Sequence, residues 1–126
     1  MQQILLYNLE EKKARQIKQL CTLLKIRFKS IASEQYMETI GSLAGVVNME
    51  KTNVPFTGTA FTDEMLVFVN FNDEALWDFL SRYRKAGIEP INLKAGLTPH
   101  NVTWNSIQLR DELMKEHEEI KKNQQG

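Results

Sequence analysis

The sequence predicts an α/β domain made of duplicated β-α-β-α units, with about four strands in a mostly parallel or mixed sheet and helices packed on it. Short apolar runs alternate with amphipathic helical stripes, which is the pattern of such a fold. In addition, residues 4–31 can be laid without gaps on residues 66–93, at an offset of 62. The two segments agree mostly in apolar pattern, and this agreement predicts an internal repeat.

The first half begins with an apolar run at 4–7, which predicts a strand buried on both faces. An amphipathic helix is predicted next. The segment "IRFKSI" (26–31) then alternates apolar and polar residues, as a strand with one wet face does. Ser33 is the predicted cap of a short helix that ends near Gly45. The stripe of the first helix consists of Ala14, Ile17, Leu20, Cys21 and Leu24.

The second half repeats this order. Residues 65–69 form its apolar strand, Asn72 is the predicted N-cap of the following helix, and Gly87 stands where a left-handed C-terminal cap belongs. The segment "IEPINLK" (88–94) is the predicted second strand. Its Pro90 cannot donate a hydrogen bond to a neighbouring strand, which favours a sheet edge or a strand start.

The last helix is predicted to begin at a capping box formed by Asn105 and Gln108 and to run to about Lys121. Two sheet layouts fit these elements: one continuous parallel sheet, or two halves related by a pseudo-twofold axis with an antiparallel seam. The predicted organisation is a single domain over 1–126, with repeat halves at about 1–46 and 64–122, a linker over 46–64 and a frayed tail at 122–126.

Composition narrows the classes of function. Sixteen basic residues balance sixteen acidic ones, which argues against a nucleic-acid partner because phosphate neutralisation needs a surplus of cations. The single cysteine, Cys21, cannot form an intrachain disulfide, and a reducing cytoplasmic compartment is expected. The N-terminus lacks a signal-peptide pattern, and no apolar stretch approaches the roughly 18 residues of a membrane span. No membrane partner is expected.

A candidate site is predicted where strands end, since ligands of α/β sheets favour the crevice beyond the carboxyl ends of strands. The segment "NLKAGLTPHNVTWN" (92–105) begins where the last strand ends, and an asparagine ends the first strand of each half. Lys94 could hold an anion, His100 could act as an acid or base, and Trp104 could stack on a ring. The predicted ligand or partner surface consists of Asn8, Asn70, Lys94, Thr98, His100, Asn101 and Trp104.

The same residues have structural explanations. Thr98 followed by proline is typical of a helix start, and a lone tryptophan such as Trp104 is most often a core anchor. Asn8 and Asn70 suit a turn that both halves need. The two glycines of "GSLAG" (41–45) indicate close helix packing or a turn.

No catalytic residue, metal ligand or cofactor is predicted. The sequence contains no GxGxxG after a strand, P-loop, GxSxG, HExxH or CxxC. Cys21 lies in a helical stripe and is interpreted as a core residue. His117 has no histidine or cysteine one helical turn away, and it is interpreted as a solvated surface residue.

Several short motifs in the second half occur in a recognisable order. An apolar strand is followed by an "F-x-D/N-E" helix start, then "AGI", then "LKA-x-LTP-x-N-x-x-W". With these motifs, residues 65–118 resemble the bacterial domain-of-unknown-function 3783 family. The resemblance implies a fold and no activity. The matching positions are Phe71, Asp73, Glu74, Ala86, Gly87, Ile88, Leu93, Lys94, Ala95, Leu97, Thr98, Pro99, Asn101 and Trp104.

The sequence does not establish a function, but it favours a non-catalytic cytoplasmic binding or interaction module. The missing catalytic motifs and the zero net charge support this expectation. The alternative is a small enzyme or ligand sensor that uses a crevice at the C-terminal ends of the strands. The expected partners are a second copy of the chain in a homodimer, a small molecule or another protein.

Overall fold

The computed structural model describes residues 1–125, with side chains up to residue 122. Its strands and α-helices alternate along the chain, as the periodicity predicted. The strands are β1 (Gln3–Tyr7), β2 (Arg27–Ser30), β3 (Met65–Val69) and β4 (Leu93–Gly96). The helices are α1 (Glu11–Leu23), α2 (Ile40–Ala44), α3 (Asp73–Lys85) and α4 (Ser106–Gln125).

The four strands form one mixed sheet in the order β2-β1-β3-β4. The β1–β2 and β3–β4 pairs are parallel, and the central β1–β3 pair is antiparallel. Of the two predicted layouts, the structure has the one with an antiparallel seam between the halves. Each parallel pair is joined by a helical crossover, as parallel strands require.

The offset of 62 residues holds for the first strand and first helix of each half. Moved by 62, the bounds of β1 and α1 become those of β3 and α3. At the middle of the seam, Leu5 pairs with Val67, its own counterpart at that offset. A pseudo-twofold axis therefore passes through this residue pair. The internal repeat in the sequence itself stays a prediction.

The offset fails at the outer strand of the second half. Strand β4 begins at Leu93, whereas a strand was predicted over 88–94. Beside Met65, the offset would place Glu89, yet Leu93 pairs there, four residues later. Residues 88–92 form a loop, in which Ile88 is buried in the core and Pro90 offers no donor for strand pairing. The gap-free alignment is therefore wrong over the second strand.

The sheet separates two apolar cores, since side chains of a strand alternate between its faces. Strands β1 and β3 are buried on both faces, as predicted for their apolar runs. The first core lies between the sheet and helices α1 and α3. The second lies under α2, α4 and the linker. Cys21 belongs to the first core as predicted, and burial raises the pKa of its thiol to about 11.

The helix predicted from Ser33 to Gly45 is interrupted. A single 3-10 turn covers Ser33–Gln35, and α2 begins only at Ile40, after Thr39, whose hydroxyl accepts a hydrogen bond from the Ser42 amide. Between the two pieces, Tyr36 turns into the second core, where its ring stacks on that of Phe61 with centroids 4.6 Å apart. The interruption thus coincides with a residue that is buried in the second core. Helix α2 ends at Gly45 in the predicted left-handed conformation, with φ 79°.

The linker 46–64 contains no helix or strand, but it is fastened to the body of the protein. The buried carboxylate of Glu38 accepts hydrogen bonds from the Thr52 hydroxyl and from the amides of Thr52 and Asn53. The Thr52 hydroxyl is the main reason that the pKa of Glu38 lies below its ordinary value. Phe56 and Phe61 pack their rings on the second core.

The predicted helix ends are mostly confirmed. The Asn72 side chain accepts a hydrogen bond from the Ala75 amide at 2.7 Å, and Gly87 after α3 has φ 71°. Asn105 and Gln108 form the reciprocal capping box at the start of α4, with both bonds at 2.9 Å. Helix α4 runs to Gln125, beyond the predicted end near Lys121. Of the predicted tail, residue 126 lies outside the described residues.

A buried hydrogen bond joins the central strand to α4. The Tyr7 hydroxyl and the Ser106 hydroxyl are 2.8 Å apart, and both residues are fully buried. Burial also raises the pKa of Tyr7, so this phenol stays neutral. The first residue of the last helix is thus tied to the end of the first strand.

Replacing Tyr7 with phenylalanine is expected to lower the free energy of unfolding by about 1–3 kcal/mol, because the Ser106 hydroxyl is left buried without a partner. The double variant Tyr7→Phe/Ser106→Ala should recover most of this loss, since both polar groups are then absent. Urea denaturation of the parent, both single variants and the double variant measures the coupling. Strictly additive losses would contradict a direct bond between these two hydroxyls.

Candidate functional site

The antiparallel seam places Asn8 and Asn70 at opposite ends of the sheet. Asn8 follows the end of β1, beside the start of β3, and Asn70 follows the end of β3, beside the start of β1. The expectation that the two amides face one crevice is therefore wrong. We refer to these two ends of the sheet as the Asn8 end and the Asn70 end.

Both asparagines have structural roles at their own ends. Asn8 and Asn70 have φ values of 56° and 63°, in the left-handed region that asparagine tolerates better than most residues. The Asn8 amide donates to the carbonyl oxygens of Phe61 and Asp63, and the Asn70 amide donates to that of Met1, each at 3.0 Å. These bonds fasten each strand end to the segment that leads into its neighbour.

A crevice of about 300 Å³ lies between β4, the 97–104 segment and α4. We call it the Trp104 crevice. It brings together four of the seven predicted residues, namely Lys94, His100, Asn101 and Trp104. Thr98, Asn8 and Asn70 do not line it. The remaining lining residues are Ala95, Leu109, Glu112, Leu113 and Glu116.

Thr98 and Asn101 shape the loop beside the crevice. The Thr98 hydroxyl accepts from the amides of His100 and Asn101, at 3.2 and 3.1 Å. In return, the Asn101 carboxamide accepts from the Thr98 amide and donates to the Gly96 carbonyl, both at 2.9 Å. Asn101 is buried and its side chain is bonded on both sides. These two residues therefore hold the turn rather than a ligand.

The helix predicted at Thr98 does not form beyond one turn. The Val102 amide reaches the Thr98 carbonyl at 3.0 Å, but the chain then leaves the helical path. Its later carbonyls bond to α2 instead: the Ile40 amide donates to Trp104 at 2.7 Å and the Gly41 amide to Val102 at 2.9 Å. These bonds to α2 accompany the departure of the 97–104 segment from the helical path. The first half of the chain thereby holds the crevice wall.

This contact requires a glycine at position 41. A Cβ atom built on Gly41 would lie 2.9 Å from the Val102 carbonyl oxygen and 2.2 Å from the sulfur of Met49. No larger residue fits without movement of the backbone. Close packing at Gly41 and a turn at Gly45 are the two explanations that the sequence indicated for "GSLAG".

The ammonium group of Lys94 is engaged by the main chain. Alternation along β4 places this side chain on the sheet face opposite to Leu93 and Ala95, which pack with the second core. Its Nζ donates to the Ile91 carbonyl oxygen at 2.5 Å, and burial lowers the pKa of Lys94. Lys94 contributes to the crevice wall, but its ammonium group is not presented to an anion there.

The groups left to interact with a ligand are an imidazole, an indole and two carboxylates. The rings of His100 and Trp104 meet edge to face, with centroids 5.0 Å apart. His100 is exposed, and Trp104 is half-buried against the second core. Glu112 and Glu116 lie one helical turn apart, so they share one face of α4. Neither forms an ion pair with any residue among 1–122.

This arrangement is suited to binding. Among residues 1–122, no carboxylate, hydroxyl or thiol is hydrogen-bonded to the His100 ring, as a nucleophile or an oriented base would require. In the part of the chain with described side chains, no three histidine, cysteine or acidic residues are grouped to hold a metal ion. The only cysteine is buried in the opposite core. The crevice instead offers an aromatic surface and negative charge.

The sequence did not point to Glu112 and Glu116 as site residues. The two glutamates are spaced i,i+4 and stand next to the apolar Leu109 and Leu113. This spacing can identify them as site residues, because it sets both carboxylates beside the buried face of the helix. His117 was interpreted as solvated and is half-buried. It lines a hollow of about 270 Å³ at the Asn8 end with two acidic residues, Asp63 and Glu64.

The two neighbours Asn101 and His100 are expected to respond differently to alanine. Asn101→Ala should lower the free energy of unfolding by about 1–3 kcal/mol, because the Thr98 amide and the Gly96 carbonyl lose their partner. His100→Ala, which removes an exposed ring, should change it by less than about 0.5 kcal/mol. Urea denaturation of both variants tests this assignment. Similar losses in the two variants would argue against a structural role specific to Asn101.

The comparisons with known proteins concern mainly the second half of the chain. No curated protein and no solved structure matches the chain. No described helix is long and apolar enough to cross a membrane. A family model does match over residues 64–120, which contain β3, α3, β4 and most of α4. As the resemblance over residues 65–118 predicted, this segment matches the family described as Domain of unknown function (DUF3783).

Proposed function

We propose that this protein is a non-catalytic binding module whose Trp104 crevice takes a small cationic group. One observation carries the proposal: Glu112 and Glu116 line the same crevice as Trp104 and form no ion pair with any residue among 1–122. A cation next to an indole ring is attracted by its π electrons, and nearby carboxylates add to that attraction.

The size of the crevice agrees with a small ligand or the end of a side chain. Its volume of about 300 Å³ is at the lower end of the range usual for ligand sites. Leu109 and Leu113 provide an apolar floor for the alkyl part of such a ligand. An alkylammonium or guanidinium group, free or on a partner protein, fits this combination of surfaces.

The alternative of a small enzyme has less support. The ring of His100 meets the edge of the Trp104 ring, and no side chain among residues 1–122 forms a hydrogen bond to it. General acid–base catalysis needs a proton donor or acceptor positioned by a further group. A ligand sensor is a form of the binding module proposed here.

We also make a proposal about the source, the cellular compartment and the evolutionary origin of the protein. We propose a bacterial, cytoplasmic protein whose two halves arose by internal duplication. The resemblance to a bacterial family and the single buried cysteine support the first two points. The bounds of β3 and α3 are those of β1 and α1 moved by 62 residues, and this correspondence supports the third point, the internal duplication.

In the variant Trp77→Phe, Trp104 is the only tryptophan, so its fluorescence reports on the crevice. Titration with spermidine, or with an arginine-containing peptide whose C-terminus is amidated, is expected to change this emission saturably. Both ligands should also raise the melting temperature of the protein. Inorganic phosphate at equal ionic strength should do neither. Glu112→Gln/Glu116→Gln should weaken binding roughly tenfold, because the opposite charges are gone.

The matched control is Glu118→Gln/Glu119→Gln, which removes the same charge from exposed positions on the same helix. It should leave the affinity within about twofold of the parent, since exposed charges more distant from the ligand are screened. Equal weakening by the two double variants would mean that the net charge of the helix, and not the crevice, attracts the cation. Absence of any saturable response would overturn the proposal.

We also propose that the protein forms a homodimer, which its zero net charge favours. Sedimentation velocity over the micromolar range is expected to show a dimer that dissociates on dilution. Sedimentation as a monomer throughout that range would remove the homodimer and leave the proposed crevice untouched.

A further inference from the structure

Strand β2 is an open edge of the sheet. All four of its residues, Arg27–Ser30, are exposed. The opposite edge, β4, has a buried first residue and is packed against α4. A strand with one neighbour presents a row of unpaired backbone groups on its free side, where another strand can add.

The hydrogen bonds to β1 show which residues of β2 point outward. The Arg27 amide donates to the Gln2 carbonyl at 3.1 Å, and the Ile31 amide donates to the Leu6 carbonyl at 2.9 Å. In a parallel pair, alternate residues of a strand bond to the same neighbour. Phe28 and Ser30 therefore direct their amide and carbonyl groups away from the sheet, to the free side.

The side chains of this edge are basic. Lys25, Arg27 and Lys29 occur in a stretch, 22–33, that contains no acidic residue. Arg27 and Lys29 form no ion pair with any residue among 1–122. Both cations border a hollow of about 370 Å³ at the Asn70 end whose described lining contains no carboxylate, whereas Lys29 also borders a second hollow that is lined by Glu34 and Glu38. Lys29 Nζ donates a hydrogen bond to the Leu43 carbonyl oxygen at 3.2 Å.

The two faces of the edge differ. Phe28 pairs with Ile4 and so lies on the face of the first core, where the residue is 39% exposed and the Lys18 ammonium is 5.8 Å from the centroid of its ring. Arg27 and Lys29 lie on the other face, because side chains alternate. A strand added along this edge would therefore lie beside Arg27 and Lys29 on one face and beside the ring of Phe28 on the other.

This pattern disfavours a second copy of the same edge. In antiparallel pairing, residues directly opposite each other share a face. In a register that keeps the layers of two copies aligned and pairs at least two β2 residues of each copy, either Arg27 lies opposite Lys29 or Lys29 lies opposite itself. Like charges directly opposite destabilise a strand pair, and lysine on edge strands is a known protection against self-association.

We propose that the β2 edge binds an extended acidic segment of a partner protein as a fifth strand of the sheet. The backbone of the segment pairs with Phe28 and Ser30. Two of its carboxylates, spaced i and i+2, lie opposite Arg27 and Lys29, and the apolar residue between them covers Phe28. This inference does not rest on the Trp104 crevice, which lies at the opposite edge of the sheet.

The test uses the full chain and a fluorescein-labelled peptide of nine residues that alternates glutamate and valine. It is expected to bind saturably, as measured by fluorescence anisotropy. Hydrogen exchange followed by NMR should then show new protection of the Phe28 and Ser30 amides. The amides of Arg27 and Ile31, which already bond to β1, should change little.

Control peptides separate strand addition from simple charge attraction. One peptide has the same composition with its glutamates in a single block, and another has proline at its centre, which removes a backbone donor. Both should bind at least about fivefold more weakly. On the protein, Arg27→Glu/Lys29→Glu should weaken binding about tenfold or more. The matched reversal Lys12→Glu/Arg84→Glu, at exposed positions on α1 and α3, should have an effect below about twofold.

Circular dichroism establishes that each variant is folded before binding is compared. Equal affinity for all acidic peptides, or binding without protection of Phe28 and Ser30, would overturn strand addition. No binding at millimolar peptide would overturn the acidic partner itself. Glu112→Gln/Glu116→Gln should leave peptide binding unchanged, so failure of this inference is distinguishable from failure of the cation-binding crevice.

Discussion

The antiparallel pairing of β1 with β3 is the constraint on which the rest of the structure depends. Both strands are buried on both faces, so this one seam supplies the centre of the two cores and joins the two halves of the chain. It also decides where every strand end lies. The carboxyl ends of one parallel pair are at the Asn8 end and those of the other pair are at the Asn70 end. The protein therefore has two edges and two ends with different chemistry, instead of one crevice that gathers all strand ends.

The chemistry of these surfaces follows from contacts between the halves. The wall of the Trp104 crevice belongs to the second half, but amides of α2 in the first half hold the carbonyls of Val102 and Trp104. Tyr7 likewise bonds to the first residue of α4. Although the chain has no net charge, its charges are segregated. Glu112 and Glu116 lie beside β4, and Arg27 and Lys29 lie along β2, all four without an ion pair to any residue among 1–122. If both proposed surfaces bind, their positions on opposite edges allow one copy to contact two partners at once.

The sequence predicted the strands, the helices and most of their caps, because apolar periodicity and capping residues are local signals. Asn72, Gly87 and the Asn105–Gln108 box all act as predicted. The direction of the seam could not be predicted, since a strand buried on both faces has the same apolar pattern in parallel and antiparallel pairs. Where β4 begins depends on pairing with Met65, which is a long-range contact. A shift of four residues leaves Lys94 on the same face of the sheet but moves it beside Leu66, so its role was also beyond local reasoning. The carboxylates of Glu112 and Glu116 look like ordinary solvated charges until β4 is placed beside them.

The seam also joins residues that are much farther apart in the sequence than the residues that pair within each half. Within each half, strands that pair are close in sequence, as with Gln3 and Arg27 or Met65 and Leu93, whereas the seam joins residues as remote as Gln3 and Val69. Closing a longer loop costs only about 0.6 kcal/mol for each doubling of its length, so the linker 46–64 adds little to the equilibrium cost of folding. Long-range pairing does slow folding, however. We therefore expect each β-α-β unit to gain structure before β1 pairs with β3. Until that pairing forms, the unpaired edges of β1 and β3 are expected to be the surfaces most prone to incorrect strand pairing.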